Sequence, residues 1–304
     1  MTRVYQGIWP VAPTPFTDTG EIDADGMRRV LDFMIDAGVD GICILANYSE
    51  QFLLSDAERE MLTRLSIEHV AGRVPVIVTI SHYATRIAVE RARFAKALQA
   101  DAVMIMPPYH GATLRGNEQQ TTAQFAAVGE AGIPIMIQDA PLSGVELSAA
   151  SLARMATDIE MVKLVKIECV RAADKLRLLL ELGGAAIEGP FDGEEGITLM
   201  ADLDAGATGT MTSAMMPDLI KPVVTHHLDG NRAAAAAAYA NVLPVINYEN
   251  RQCGWLATKA AMVAGGVIKT DYCRHPVTSL NSESRAGLLE LLQAHDPLVL
   301  RWGT

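Results

Sequence analysis

Eight short apolar runs recur through the first two-thirds of the chain: GIWPVAPTPF, GICILAN, PVIVTIS, DAVMIMPP, PIMIQDAP, VKLVKIE, AAIEG and GTMTS. Most are rich in Val, Ile or Met and lack strict alternation with polar residues, the pattern of parallel strands covered on both faces. Between them stand segments of helical character, among them DADGMRRVLDFMIDAG, SDAEREMLTRLSIEHVAG and TRIAVERARFAKALQA, which begin at Asp, Ser or Thr or end at Gly. Such alternation with short connections predicts an α/β fold with a parallel sheet and right-handed crossovers. Its count of eight predicts a closed (β/α)8 TIM barrel over residues 1–214. The open doubly wound sheet is the competing architecture, but its G-x-G-x-x-G fingerprint is missing after the first strand, where TPFTDTG stands. From 215 to 304 the texture changes to MMPDLIKPVVTHHLDG, an alanine-rich stretch, GWLATKAAMVAGG and SRAGLLELLQAH. No strand signal remains there, so the pattern predicts a C-terminal helical extension packed on the barrel or used in an oligomer contact.

Composition narrows the function classes. The chain has 304 residues, half of them apolar, enough for one large domain or two medium ones. A net charge of −11 leaves no basic stripe, which excludes nucleic acid and anionic membrane surfaces as partners. No apolar run approaches the roughly 20 residues that span a bilayer, and MTRVYQGIWP lacks the pattern of a secretory signal, so a cytoplasmic chain is expected. The cysteines Cys43, Cys169, Cys253 and Cys273 are scattered without a C-x-x-C pair, and His226 and His227 point to different sides of a helix. Neither a disulfide framework nor a metal site is expected.

The chemistry concentrates in VKLVKIE. Strand period two places Val162, Leu164, Lys166 and Glu168 on one face, and Lys163, Val165, Ile167 and Cys169 on the other. Active sites of barrels collect at the C-terminal ends of the strands. With the first set inward, an amine and a carboxylate crown the sixth strand. A lysine enclosed by apolar walls loses its charge more readily and can then attack a ketone. The pattern alone equally allows an exposed strand-end lysine paired with Glu168.

Read as a whole, the segment from GIWPVAPTPF to SEQFLLSDAERE, then PPYH, the Lys166 strand, GATGTMTS, TKAAMVAGG and CRHPV, closely resembles the dihydrodipicolinate synthase and N-acetylneuraminate lyase family of class I aldolases. The resemblance covers nearly the whole chain in order. It implies a (β/α)8 barrel with helical C-terminal additions, a homotetramer, and Lys166 as the imine-forming lysine. The family loop G-T-T-G-E, which holds the substrate's 1-carboxylate, stands here as Ala46, Asn47, Tyr48, Ser49 and Glu50, so Asn47, Tyr48 and Ser49 are the implied carboxylate donors. The family's Y-N-x-P tyrosine is absent. Gln138, Asp139, Ala140 and Pro141 occupy its place, and Gln138, a candidate substrate contact, has no acid–base chemistry of its own.

Another group must therefore move protons. Glu168 is the first candidate, about 6.6 Å along the same strand face from Lys166; Glu195, in FDGEEG after the seventh strand, is the second. Each also has a structural reading: Glu168 as the ion-pair partner that orients Lys166, Glu195 as a cap for the helix GITLMADLDAG. His82 and Tyr83 close the third strand and Tyr109 and His110 the fourth, where they either bind substrate hydroxyls or pack against a neighbouring subunit. The expected reaction is loss of water from a 2-keto-3-deoxy sugar acid, with the imine as electron sink and no cofactor. For the five-carbon acid implied by the resemblance, 2-keto-3-deoxy-L-arabinonate, the product is α-ketoglutarate semialdehyde. An aldolase, lyase or dihydrodipicolinate synthase-like reaction through the same imine is the alternative.

Overall fold

The computed structural model describes residues 5–303; residues 1–4, the start of the segment read for a secretory signal, and 304 lie outside them. Among these residues the strands are β1 (Gly7–Ile8), β2 (Ile42–Ile44), β3 (Val76–Thr79), β4 (Ala102–Ile105), β5 (Tyr109–His110), β6 (Leu114–Arg115), β7 (Ile135–Asp139), β8 (Val162–Ile167), β9 (Gly189–Asp192) and β10 (Gly209–Thr210). The α-helices up to β10 are α1 (Ala24–Asp36), α2 (Asp56–Val70), α3 (Thr85–Ala97), α4 (Glu118–Gly129), α5 (Ala149–Asp158), α6 (Ala172–Gly183) and α7 (Leu199–Asp204). After it follow α8 (Pro217–Leu228), α9 (Arg232–Tyr248), α10 (Leu256–Ala264) and α11 (Ser282–Gln293). None is long and apolar enough to cross a membrane.

The chain groups into two compact units. One holds residues 76–194 and 198–211 with Tyr5 and Gln6; the other holds 7–75, 195–197 and 212–303. In the first unit β3, β4, β7, β8, β9 and β10 are hydrogen-bonded in that order, every pair parallel. A helix separates each consecutive pair, α3 to α7 in turn. The strands are almost wholly buried, which accounts for their continuous apolar runs. A register shift opposite Ile135 and Met136 leaves Lys163 as the extra residue of β8, and its amine turns to Glu188 at 2.9 Å. Beyond the shift the alternation resumes, so Gln138 pairs with Lys166 and Lys166 with Phe191.

Two expectations need correction. The seventh strand starts where AAIEG ends: Ala185 and Ala186 belong to a 3-10 turn, and the strand runs through Pro190 to Asp192. Gly and Pro are weak strand formers, and pairing with β8 overrides them here. Tyr109 and His110 do not end the fourth strand, which stops at Ile105; they form a separate antiparallel ribbon with Leu114 and Arg115.

In the second unit Val11 bridges both Cys43 and Ser213 in parallel register. Helix α2 starts in a full capping box, in which Ser55 and Glu58 satisfy each other's backbone N–H groups. The C-terminal helices α8 and α9 pack on each other, and α11 packs on α9 and α10. Arg29 ties α1 to the end of α10 through the carbonyls of Val267 and Gly266 at 3.0 and 2.7 Å.

Candidate active site

Strand parity decides the lysine question within the first unit. Lys166 is only 4% exposed, and its Nζ contacts Oε1 of Glu168. Both oxygens of Glu168 also accept from Nε2 of Gln138 at 3.2 Å. The neighbouring strands β7 and β8 thus assemble an amine, a carboxylate and an amide into one buried cluster. Gln138 is fully buried, and its Oε1 has no hydrogen-bond partner among the described residues. A buried amide that spends its N–H groups on Glu168 and keeps an open carbonyl oxygen is suited to receive a ligand hydroxyl.

Gly193 completes the cluster by having no side chain. A Cβ there would stand 2.4 Å from Cγ of Glu168 and 3.1 Å from Cε of Lys166. The sequence marks it only as one glycine among several in GPFDGEEG. On the opposite strand face the charges are structural. Asp139 pairs with Lys175 at 2.5 Å, and burial still raises its carboxyl above the ordinary range. Asp192 is fully buried, accepts from Thr210 at 2.5 Å, and is raised well above the ordinary range by burial and then by Asp202.

The remaining candidates of the first unit lie past the strand ends. Nδ1 of His82 accepts from the backbone of Ala84 at 2.9 Å, which leaves the ring proton on Nε2. Tyr83 and His110 are exposed. The Tyr109 hydroxyl is buried without a partner among the described residues, and burial raises its pKa.

In the second unit Asn47, Tyr48 and Ser49 form a 3-10 turn. The Ser49 hydroxyl donates to the carbonyl of Ala12 at 2.6 Å and accepts from the N–H of Ala46 at 3.1 Å, so its proton is spent inside the loop. Asn47 accepts from Gln51 at 2.7 Å through Oδ1, which orients its amide N–H groups away from Gln51. The turn closes at Glu50, in the left-handed region at φ 57°. Glu50 pairs with Lys259 of α10; both are buried. Lys259 also donates to the Tyr272 carbonyl at 3.0 Å and stands 4.4 Å from the Phe16 ring centroid. Burial raises the Glu50 carboxyl, opposed by Lys259. Removing one partner of such a pair strands the other charge, so Lys259→Met is expected to lower stability by about 3–5 kcal/mol, read from denaturant midpoints.

Glu195 does not cap the helix that follows it, because α7 starts at Leu199 behind Thr198. It stands in the left-handed region at φ 60°, and Oε2 accepts from Nδ2 of Asn250 at 2.9 Å.

Comparison with known proteins fits this geometry. The sequence profile of the dihydrodipicolinate synthetase family matches residues 4–295. An L-2-keto-3-deoxyarabonate dehydratase of Azospirillum brasilense is 56% identical over 302 residues, 99% of this chain and 98% of that one. A 4-hydroxy-tetrahydrodipicolinate synthase 2 of Streptomyces coelicolor is 29% identical, covering 89% and 88%. Among solved structures, a dihydrodipicolinate synthase from Rhodopseudomonas palustris aligns with a TM-score of 0.85 and 28% identity, covering 95% of this chain and 97% of that one. One from Aquifex aeolicus aligns with a TM-score of 0.89 and 24% identity, covering 96% and 99%, and speaks to the fold alone. The fold class is the expected (β/α)8 barrel with additional C-terminal helices.

Proposed function

The chain belongs to the dihydrodipicolinate synthetase family, and on that premise we propose that it is a Schiff-base dehydratase, a hydro-lyase of the class I aldolase type. Its substrate in this reading is 2-keto-3-deoxy-L-arabinonate, converted to α-ketoglutarate semialdehyde in pentose catabolism. The observation that carries it is the buried contact of Lys166 with Glu168, braced by Gln138 where the sequence resemblance calls for a tyrosine. A phenol suits making and breaking of carbon–carbon bonds; a carboxylate beside the imine suits removal of a proton from C3.

The proton accounting runs through Glu168. It takes a proton from the Lys166 ammonium, and the free amine adds to the C2 ketone. Glu168 returns the proton to the carbinolamine hydroxyl, which leaves as water and gives a protonated imine. As a carboxylate again, Glu168 removes a C3 proton to form the enamine. Expulsion of the C4 hydroxyl, protonated by Glu168 or Glu195, completes the loss of water. Further proton shifts and hydrolysis of the imine release the semialdehyde and restore Lys166.

Asn47 and Tyr48 serve in this reading as donors to the substrate carboxylate, with Ser49 shaping their turn. His82, Tyr83, Tyr109, His110 and Gln138 are the side chains assigned to substrate hydroxyls. The family resemblance extends the reading to a homotetramer or dimer in the cytoplasm, checked by light scattering. The deciding test is a panel of C5 and C6 2-keto-3-deoxy acids with products identified by NMR. Water loss without pyruvate is expected; release of pyruvate would instead select a lyase.

A further inference from the structure

Loss of water and loss of pyruvate start from the same imine on Lys166 and part at one substrate atom, the oxygen on C4. Cleavage of the C3–C4 bond turns C4 into an aldehyde carbon, so its hydroxyl must give up a proton. Dehydration breaks the C4–O bond instead, so the same hydroxyl must gain one. The outcome rests with the protein group that this hydroxyl touches, and with whether that group can take and keep a proton.

Gln138 suits one half of this choice. It pairs with Lys166 across β7 and β8, so the two side chains lie on the same face of the sheet. Its Nε2 stands 3.2 Å from each oxygen of Glu168. A carboxylate only accepts hydrogen bonds, so the amide turns its nitrogen to Glu168 and its oxygen away. Both N–H bonds are thereby used. Oε1, buried and without a partner among the described residues, is the one polar function left to the side chain. An orphaned buried acceptor is costly, and a ligand that brings a donor relieves it. Beside the pair, β9 contributes the buried ring of Phe191 in register with Lys166, and β4 ends in Ile105 with the buried Met106 behind it.

We propose that Gln138 turns the Lys166 imine toward water loss, by accepting the hydrogen bond of the C4 hydroxyl at Oε1 without being able to take its proton. This rests on the dehydratase reading and goes past it by naming the hydroxyl and the reason pyruvate stays in one piece with the rest of the substrate. Glu168 takes a proton from C3, and the C3–H electron pair enters the C2–C3 bond of the enamine. The C4–O bond then breaks as its oxygen receives a proton from Glu168 or Glu195, and water departs while the enamine pair forms the C3–C4 double bond. No oxidant or reductant is needed. As the oxygen is protonated its hydrogens become stronger donors, so the contact with Oε1 tightens toward the transition state, and such tightening is what raises a rate. Cleavage needs the opposite transfer. The C4 O–H electron pair would close the aldehyde, the C3–C4 pair would pass to the enamine, and the proton would stay on its acceptor. An amide oxygen is too weak a base to hold it, whereas a phenolate in the same place could.

The test uses the full chain and compares wild type with Gln138→Leu and Gln138→Tyr. Products from 2-keto-3-deoxy-L-arabinonate are followed by NMR, as semialdehyde or as pyruvate with glycolaldehyde. Deuterium exchange at C3 of pyruvate, which has no C4, is measured beside them, and borohydride trapping with pyruvate shows that each variant folds and forms the imine. Gln138→Leu removes the acceptor and should lower the ratio of water loss to pyruvate exchange by about tenfold or more, the size of one hydrogen bond missing from a transition state. Gln138→Tyr offers a phenol and should release pyruvate and glycolaldehyde, which wild type does not. The wild-type ratio in Gln138→Leu would overturn the contact of Oε1 with the C4 hydroxyl, since an amide that only braces Glu168 slows both reactions alike. A Gln138→Tyr protein that traps pyruvate yet yields semialdehyde alone would overturn the role in product choice. Loss of trapping in both variants would make Gln138 a part of imine formation and overturn the proposal as well. Wild type that itself releases pyruvate, or that exchanges pyruvate but loses water from no acid of the panel, rejects instead the dehydratase reading.

Discussion

Lys166→Met is expected to abolish both borohydride trapping of pyruvate and turnover, the latter by about 10⁴-fold or more, as for other covalent nucleophiles. The amine is the only group of the buried cluster of Lys166, Glu168 and Gln138 that can form an imine, and neither neighbour can replace it. Lys166→Arg should fare no better, because a guanidinium stays protonated and offers no nucleophilic lone pair. Loss of the cation in Lys166→Met removes the ion-pair partner of Glu168, so that variant should also unfold at lower denaturant, and circular dichroism must first show both variants folded. Lys163→Ala is the matching control. Its amine is turned to Glu188 on the opposite strand face, and trapping should proceed as in wild type. Mass spectrometry of the trapped protein decides the matter: label on any peptide other than the one holding Lys166 would sink the assignment.

The fold and half of the site were legible because they depend on local period. Uninterrupted apolar runs announce doubly covered strands, and parity along VKLVKIE places Lys166 with Glu168 wherever the strand runs. The register shift in β8 falls before Leu164, so it displaces Lys163 and leaves that parity intact. What escaped the sequence depends on distant packing. Gly189 and Pro190 read as a strand's end until their pairing with β8 extends it to Asp192. Tyr109 and His110 form a ribbon too short to carry a period. The buried pair of Glu50 and Lys259 joins two segments with no local relation in the chain. Glu249 lies in NYENRQ, which looks like a solvated polar stretch; only the π turn at the end of α9 brings its side chain inside. A cluster assembled across the fold leaves no spacing to read.

Glu168→Gln separates imine formation from the chemistry that follows. Glutamine keeps the size of the side chain and can still accept from Lys166 through its amide oxygen, and Gln138 can meet it in an amide pair, so the strand ends should hold their geometry. Trapping of pyruvate should therefore persist, slowed where Glu168 shuttles the carbinolamine proton. Removal of a C3 proton needs a base, and an amide is none; loss of a positioned acid–base group typically lowers turnover by about 10²–10⁴-fold. Pyruvate isolates that step, since its methyl group is C3 of the imine. In D2O the wild type should exchange those protons for deuterium, visible by proton NMR, while Glu168→Gln should form the imine and leave the methyl signal in place. Glu168→Asp draws the carboxylate back by one methylene and should recover exchange only in part, because a base must reach hydrogen-bond distance of the proton it takes. Exchange at the wild-type rate in Glu168→Gln would assign the C3 proton to another base and strip Glu168 of its role.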